Sequence, residues 1–339
     1  MRTSVIDHTA RRASGLVVLC AVLAAVAFLS VTQGSRSIDL PDVLGALGNL
    51  GEPTINSTVT LELRVPRTLL GILAGAALGV AGAVLQGVTR NPLADAGIMG
   101  INSGAAAFVV FAVTVLGVRG AGVYVWFAFA GAIGAIFLVY TIASMGREGA
   151  TPVKLALSGA AVTAGLSSLT SGIVMTNLDA LNELRFWQVG SLAGRYAPVL
   201  TGVAPFLLAG LVLSLGCGRA LNGLALGEDM ARGLGQRVRL TRAAAFGVVA
   251  LLAGAATAAC GPIVFIGLVV PHLARFICGP DYRWILPYSM LLAPIVLLLA
   301  DVLGRVAGAP GELQVGVVLA VLCAPVFVGI VRYARLTEA

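Results

Sequence analysis

The stretch Thr68-Leu-Leu-Gly-Ile-Leu-Ala-Gly-Ala-Ala-Leu-Gly-Val-Ala-Gly-Ala-Val-Leu-Gln-Gly-Val88 decides the fold class. It carries no charge from end to end, and about 20 apolar residues are what a helix needs to cross about 30 Å of hydrocarbon. Gly71, Gly75 and Gly79 recur at i, i+4 and i+8, which leaves one smooth helix face where a second backbone can come close. That face reads as packing inside one chain rather than as a dimer interface.

The composition extends the reading to the whole chain. Of 339 residues 58% are hydrophobic and only 11% are charged, whereas a soluble domain carries about 25% charged residues. A soluble interior cannot absorb that difference, so the solvent is lipid. The apolar runs lack the alternation of a membrane barrel, and lipid offers a bare backbone no partner, so helices follow. The sequence predicts an all-α polytopic membrane protein, one transmembrane domain over 1–339, with about ten spans at 15–32, 68–88, 97–118, 122–145, 153–176, 198–217, 241–259, 261–276, 284–302 and 313–332. Residues 1–32 resemble a signal peptide, but the apolar run is long and lacks a clean small-residue cleavage site, so an uncleaved first span is expected.

Ten spans put both termini on one face. Arg11, Arg12, Arg90, Lys154, Arg219, Arg237, Arg239, Arg242, Arg275 and Arg283 fall on the amino-terminal side, so the positive-inside rule makes that side and both termini cytoplasmic. The net charge of +7 is then a mark of topology and not of nucleic-acid binding. Two stretches lie outside the bilayer. Residues 33–66, with Pro41, Pro53 and acidic residues among leucines, predict a short amphipathic surface helix. Residues 218–240 form a cytoplasmic region.

Within that region Leu226-Gly-Glu-Asp-Met-Ala-Arg-Gly-Leu-Gly235 is a charged island in an apolar chain. Gly227, Gly233 and Gly235 permit sharp turns on either side of a short helix. Glu228 and Arg232 stand at i, i+4 and can pair. It reads as a helix made to be held by another protein.

Missing chemistry narrows the function. Lys154 is the only lysine and follows Thr-Pro-Val, so the chain has no Walker-type phosphate loop and no ATPase site of its own. Span centres lack Asp, Glu, Lys and Arg, the usual coupling groups of a secondary carrier, which is the rival reading. His272 at a span end reads as an interfacial residue, and Asp301 can pair with Arg305 four residues on. No carboxylate pair, Ser-His-Asp set or His-Glu-x-x-His supports a membrane-embedded enzyme. The five cysteines are dispersed without metal spacing and read as small hydrophobes; no metal site or chain-borne cofactor is expected. Energy must come from a partner.

Further residues carry a resemblance. Arg64-Val-Pro-Arg67, Gly82-Ala-Val-Leu-Gln86, Arg90-Asn-Pro-Leu-Ala-Asp95, the 226–235 segment and Gly261-Pro through Pro271-His-Leu-Ala-Arg275 follow in order. Leu299-Ala-Asp301, Gly311-Glu-Leu-Gln and Cys323-Ala-Pro-Val-Phe327 complete the set, covering about residues 60 to 335. Together they resemble the permease subunits of ATP-binding-cassette importers for iron-siderophores, haem and cobalamin. Gln314 departs from the proline common there. The resemblance implies a type II importer permease in the bacterial plasma (inner) membrane, with a ferric siderophore as the expected cargo and haem or cobalamin as alternatives. It implies a second permease copy or paralogue, two cytoplasmic ATPases that carry the ATP and Mg, and an extracytoplasmic substrate-binding protein. Leu226, Gly227, Glu228, Ala231, Arg232, Leu234 and Gly235 would then couple to the ATPase. Arg64, Arg67 and Arg305 would present positive charge to the binding protein, and Asn91 and Pro92 would lie near the inner gate.

Overall fold

A computed structural model describes residues 2–48, 54–118, 120–145, 150–195 and 197–337. Every regular element among them is helical. Seven helices are long and apolar enough to cross a membrane, and three shorter apolar helices, Ile101–Val115, Ile266–Cys278 and Val315–Gly329, accompany them.

In chain order the helices are α1 (Arg2–Thr32), α2 (Leu40–Leu47), α3 (Ile55–Thr58), α4 (Val65–Thr89), α5 (Ile101–Val115), α6 (Ala121–Ser144) and α7 (Pro152–Thr176). Then come α8 (Leu178–Gln188), α9 (Ala197–Ala225), α10 (Glu228–Gly233), α11 (Val238–Cys260), α12 (Ile266–Cys278), α13 (Tyr282–Ala307) and α14 (Val315–Thr337). A π-helical turn, Val59–Arg64, joins α3 to α4.

The centre is α4. It is buried along nearly its whole length and packs on α13, α9, α11 and α12. Its glycine face explains how. A Cβ at Gly75 would meet the Pro294 backbone at 2.6 Å, and one at Gly71 would meet Leu298 at 2.6 Å. At Gly79 it would strike Ala293, and at Gly82 the Gly267 carbonyl. The i, i+4 glycines therefore pack within the chain, as the sequence implies. In lipid no hydrophobic force presses helices together, so backbone approach and dispersion hold them.

Several boundaries differ from the sequence-derived ones. The 97–118 segment is broken: Ala96–Met99 is a 3-10 turn, Gly100 takes φ +76°, and α5 starts only at Ile101. The 261–276 segment starts as an extended link, because Pro262 and the left-handed Phe265 (φ +69°) delay α12 to Ile266. The 33–66 stretch holds α2 and α3 rather than one surface helix, and Pro53 lies outside the described residues. Helix α8 falls in a stretch assigned to no element from sequence. Among the cysteines all five are free, and Cys20 is exposed on α1 rather than buried.

Gly75→Leu is expected to drive a side chain into the Pro294 backbone and lower the melting temperature of the purified protein, overpacking costing about 1–3 kcal/mol or more. Gly134→Ala, where nothing lies within 4 Å, should leave the melting temperature unchanged.

Candidate functional site

Four places carry polar chemistry. The first is the loop around α10. Gly227 takes φ +105° and Gly235 φ +80°, so the chain turns sharply before and after a helix of six residues. Glu228 is the hub: it accepts from Arg232 at 3.0 Å and also pairs with Arg242 on α11. Arg232 reaches Asp229 at 3.1 Å as well. Gln236 Nε2 donates to the Ala220 carbonyl of α9 at 2.9 Å and to Thr241 at 3.2 Å, closing the loop back on both flanking helices. Ala231 is fully buried against them. One turn before the loop, Asn222 donates to Asp281 at 2.6 Å and accepts from the Tyr282 amide at 2.8 Å, so the end of α9 is tied to the start of α13.

Beside the exposed Asp229 and Arg232, α10 and its two flanks leave apolar side chains outward. Leu226, Met230 and Leu234 are 65%, 60% and 68% exposed and stand at i, i+4 and i+8. Met230 was missed among the residues named from sequence; its signal was that spacing.

The second place is the turn after α4. Arg90 ends the helix in the left-handed region (φ +51°). Asn91 Oδ1 then accepts from the Leu93 amide at 2.9 Å, a side-chain turn that Pro92 reinforces. Both Asn91 and Pro92 are exposed. Asp95 accepts from the Gly97 amide at 3.1 Å and starts the 3-10 turn. Beside this turn Gln86 bridges elements distant in sequence. It donates to the Gly267 and Leu268 carbonyls at 3.2 and 3.3 Å and accepts from Arg275 at 2.6 Å. His272 Nδ1 lies 2.8 Å from the Leu268 carbonyl, an intrahelical bond.

The third is a cluster of arginines at the opposite end of α4 and α13. Arg67 binds Asp301 in bidentate fashion, Nη2 to Oδ1 at 2.8 Å and Nε to Oδ2 at 3.0 Å, and reaches Glu312 at 2.7 Å. Arg305 pairs with the same Asp301 at 3.1 Å, the i, i+4 pair read from sequence. Its Nη1 also donates to the Ser30 and Gln33 carbonyls at 2.9 and 2.7 Å. Arg64 donates to the Val31 and Thr32 carbonyls at 3.0 and 2.7 Å and to Arg36 at 2.5 Å. The last carbonyls of a helix have no partners of their own, and two guanidiniums supply them at the end of α1. Thus Arg64, Arg67 and Arg305 are brought together, but they face inward: Arg64 is 5% and Arg305 2% exposed. They line a cavity of about 210 Å³ with Arg36, Arg195 and Glu312. Two carboxylates and the α1 carbonyls claim the donors of these arginines.

The fourth is a cavity of about 720 Å³ beside α5, α7 and α8, lined by Asn102, Ser103, Thr163, Ser167, Thr170 and Trp187 among others. Trp187 is 1% exposed, and its indole N–H has no hydrogen-bond partner among the described residues. Also among the described residues, no three His, Cys, Asp or Glu side chains converge as metal ligands.

The family model described as the FecCD transport family matches residues 22–333. The ferric enterobactin transport system permease protein FepD of Escherichia coli (strain K12) is 44% identical over 319 residues, 94% of each chain. The probable siderophore transport system permease protein YfiZ of Bacillus subtilis (strain 168) is 41% identical over 317 residues, 94% of this chain and 95% of the relative. A solved structure described as a metal-chelate type ABC transporter, in an inward-facing conformation, superposes with a TM-score of 0.80 at 27% identity. It covers 95% of this chain and 99% of that one.

Asp301→Asn removes the carboxylate that two buried guanidiniums share. Breaking a buried pair by deleting one partner costs about 3–5 kcal/mol, so the purified protein should melt at least several degrees lower. Ser30→Ala, which loses one hydroxyl contact to Arg305 and one to Thr68, should cost clearly less.

Proposed function

The chain belongs to the FecCD transport family and is a permease subunit of an ATP-binding-cassette importer, and from that premise we propose that its cargo is a ferric siderophore. Two relatives above 40% identity are named for ferric enterobactin and for a siderophore, which supports this cargo. In this reading two ATPases, which carry ATP and Mg, drive a pair of permeases in the bacterial inner membrane, both termini cytoplasmic, and a binding protein delivers cargo to the opposite face.

The observation that carries energy coupling is an apolar ridge braced from behind, Met230 on α10 with Leu226 and Leu234 just outside its two ends. Exposed leucines on a water-facing loop cost free energy unless something covers them. A cleft on the ATPase covers them here. The braces through Glu228, Gln236 and Asn222 make a push on the ridge a push on α9, α11 and α13 together.

At the other end the arginine cluster still carries a positive balance, with Arg36, Arg64, Arg67, Arg195 and Arg305 against Asp301 and Glu312. Acidic groups on a binding protein meet that field as a sum, not as three free side chains, and such complementarity steers docking and orientation. Asn91 and Pro92 stand at the cytoplasmic mouth. The hydroxyls beside α7 and the Trp187 N–H offer neutral partners to a bulky, oxygen-rich chelate and hold it weakly, as passage requires.

Reconstituted with its ATPase and binding protein, the transporter is expected to accumulate a ferric siderophore in an ATP-dependent way. Leu226→Ser with Leu234→Ser should cut uptake at least about ten-fold, since two lost apolar contacts weaken the ATPase interface by more than 1.4 kcal/mol. ATP-independent uptake by the permease alone would overturn the reading.

A further inference from the structure

A groove of about 520 Å³ lies between α1, the last residues of α12 and the first turns of α13, at the end of the bundle that carries α10. Its rim holds Arg11, Arg12 and Ser14, and its walls include Val18, Ile277 and Tyr288. Nothing in the transport reading uses it.

The rim is built, not incidental. Gly15 lies against the Tyr288 hydroxyl, where any side chain would collide, and that hydroxyl donates to the Arg12 carbonyl at 2.8 Å. The first turns of α1 are thereby fixed to α13. The Arg12 guanidinium sits 6.0 Å from the centroid of the Trp284 ring, within cation–π range. Gly279, at φ +84°, leaves it room: a Cβ there would stand 3.1 Å from Nη2. Arg12 is therefore steered over the groove mouth rather than left to wander.

The walls have the opposite character. Val18 of α1 and Ile277 of α12, which both line the groove, are exposed. A soluble anion would suit the guanidiniums and leave these aliphatic walls uncovered. A zwitterionic lipid would cover the walls and leave the charge uncompensated. Only an anionic amphiphile satisfies both.

We propose that this groove is a binding site for an anionic phospholipid, with its phosphate at Arg11 and Arg12 and its acyl chains along Val18 and Ile277. The lipid fastens the peripheral helix α1, which is mostly exposed along its span, to the end of α13 that is tied to α9.

The test uses the delipidated full chain in detergent. It is titrated with phosphatidylglycerol and with phosphatidylcholine of matched acyl chains, and bound lipid is counted by native mass spectrometry. At low salt the wild type should hold phosphatidylglycerol roughly 25-fold more tightly, about five-fold per guanidinium. Arg11→Gln with Arg12→Gln should bring the ratio near one. Ser14→Trp, which fills the groove and keeps both charges, should lower phosphatidylglycerol occupancy several-fold. Equal affinity of the wild type for both lipids would overturn the proposal by itself, whether or not a variant folds. So would an undiminished preference in the double variant or full occupancy in Ser14→Trp.

Discussion

The contact between the glycine face of α4 and the backbone of α13 is what the rest of this bundle depends on. Hydrocarbon solvates a leucine as well outside as inside, so burial alone gives the helices no reason to meet. Removing side chains at Gly71, Gly75, Gly79 and Gly82 does, because α13 and the start of α12 come within backbone reach. With α4 enclosed on all sides, α9, α11 and α12 take their places around it. The loops at either end are then carried by helices packed around one centre.

Where the helices meet water, side chains take over the work. The open carbonyls of α1 are met by Arg64 and Arg305, and the carboxylate of Asp301 balances Arg67 and Arg305. At the other end the same economy uses amides: Gln86, Asn222 and Gln236 each bridge two elements. An amide can donate and accept at once without bringing a charge. That suits positions bordering hydrocarbon, where an unpaired ion would be costly.

Much of this was legible in the sequence, and the misses have physical causes. Apolar runs bounded by charge mark, in order, the seven long and three shorter apolar helices among the described residues. The glycine spacing gives the packing face of α4, and the i, i+4 spacings give Glu228–Arg232 and Asp301–Arg305. Hidden from sequence was α8, whose Asp179, Glu183 and Arg185 break the apolar pattern although Trp187 is buried. The inward turn of Arg64, Arg67 and Arg305 was hidden too. Their partners lie on α1 and near Glu312, and a charge at a span end reads as exposed until the tertiary neighbours are known. Met230 stands among charged residues in the sequence, which mask its exposed apolar surface.

The Asn222–Asp281 tie has a mechanical consequence. Helix α13 is anchored to the loop-bearing end of α9 at Asp281 and holds Asp301 near its far end. Twenty residues of helix span about 30 Å, so it acts as a lever across most of the bilayer. A tilt of about 5° at the loop end would sweep Asp301 by roughly 3 Å along that arm. That is as long as the 2.8 Å bond that Arg67 makes to it. The arginine cluster is thus built at the amplitude where a small rotation on one side of the membrane would be felt as a broken or remade bond on the other.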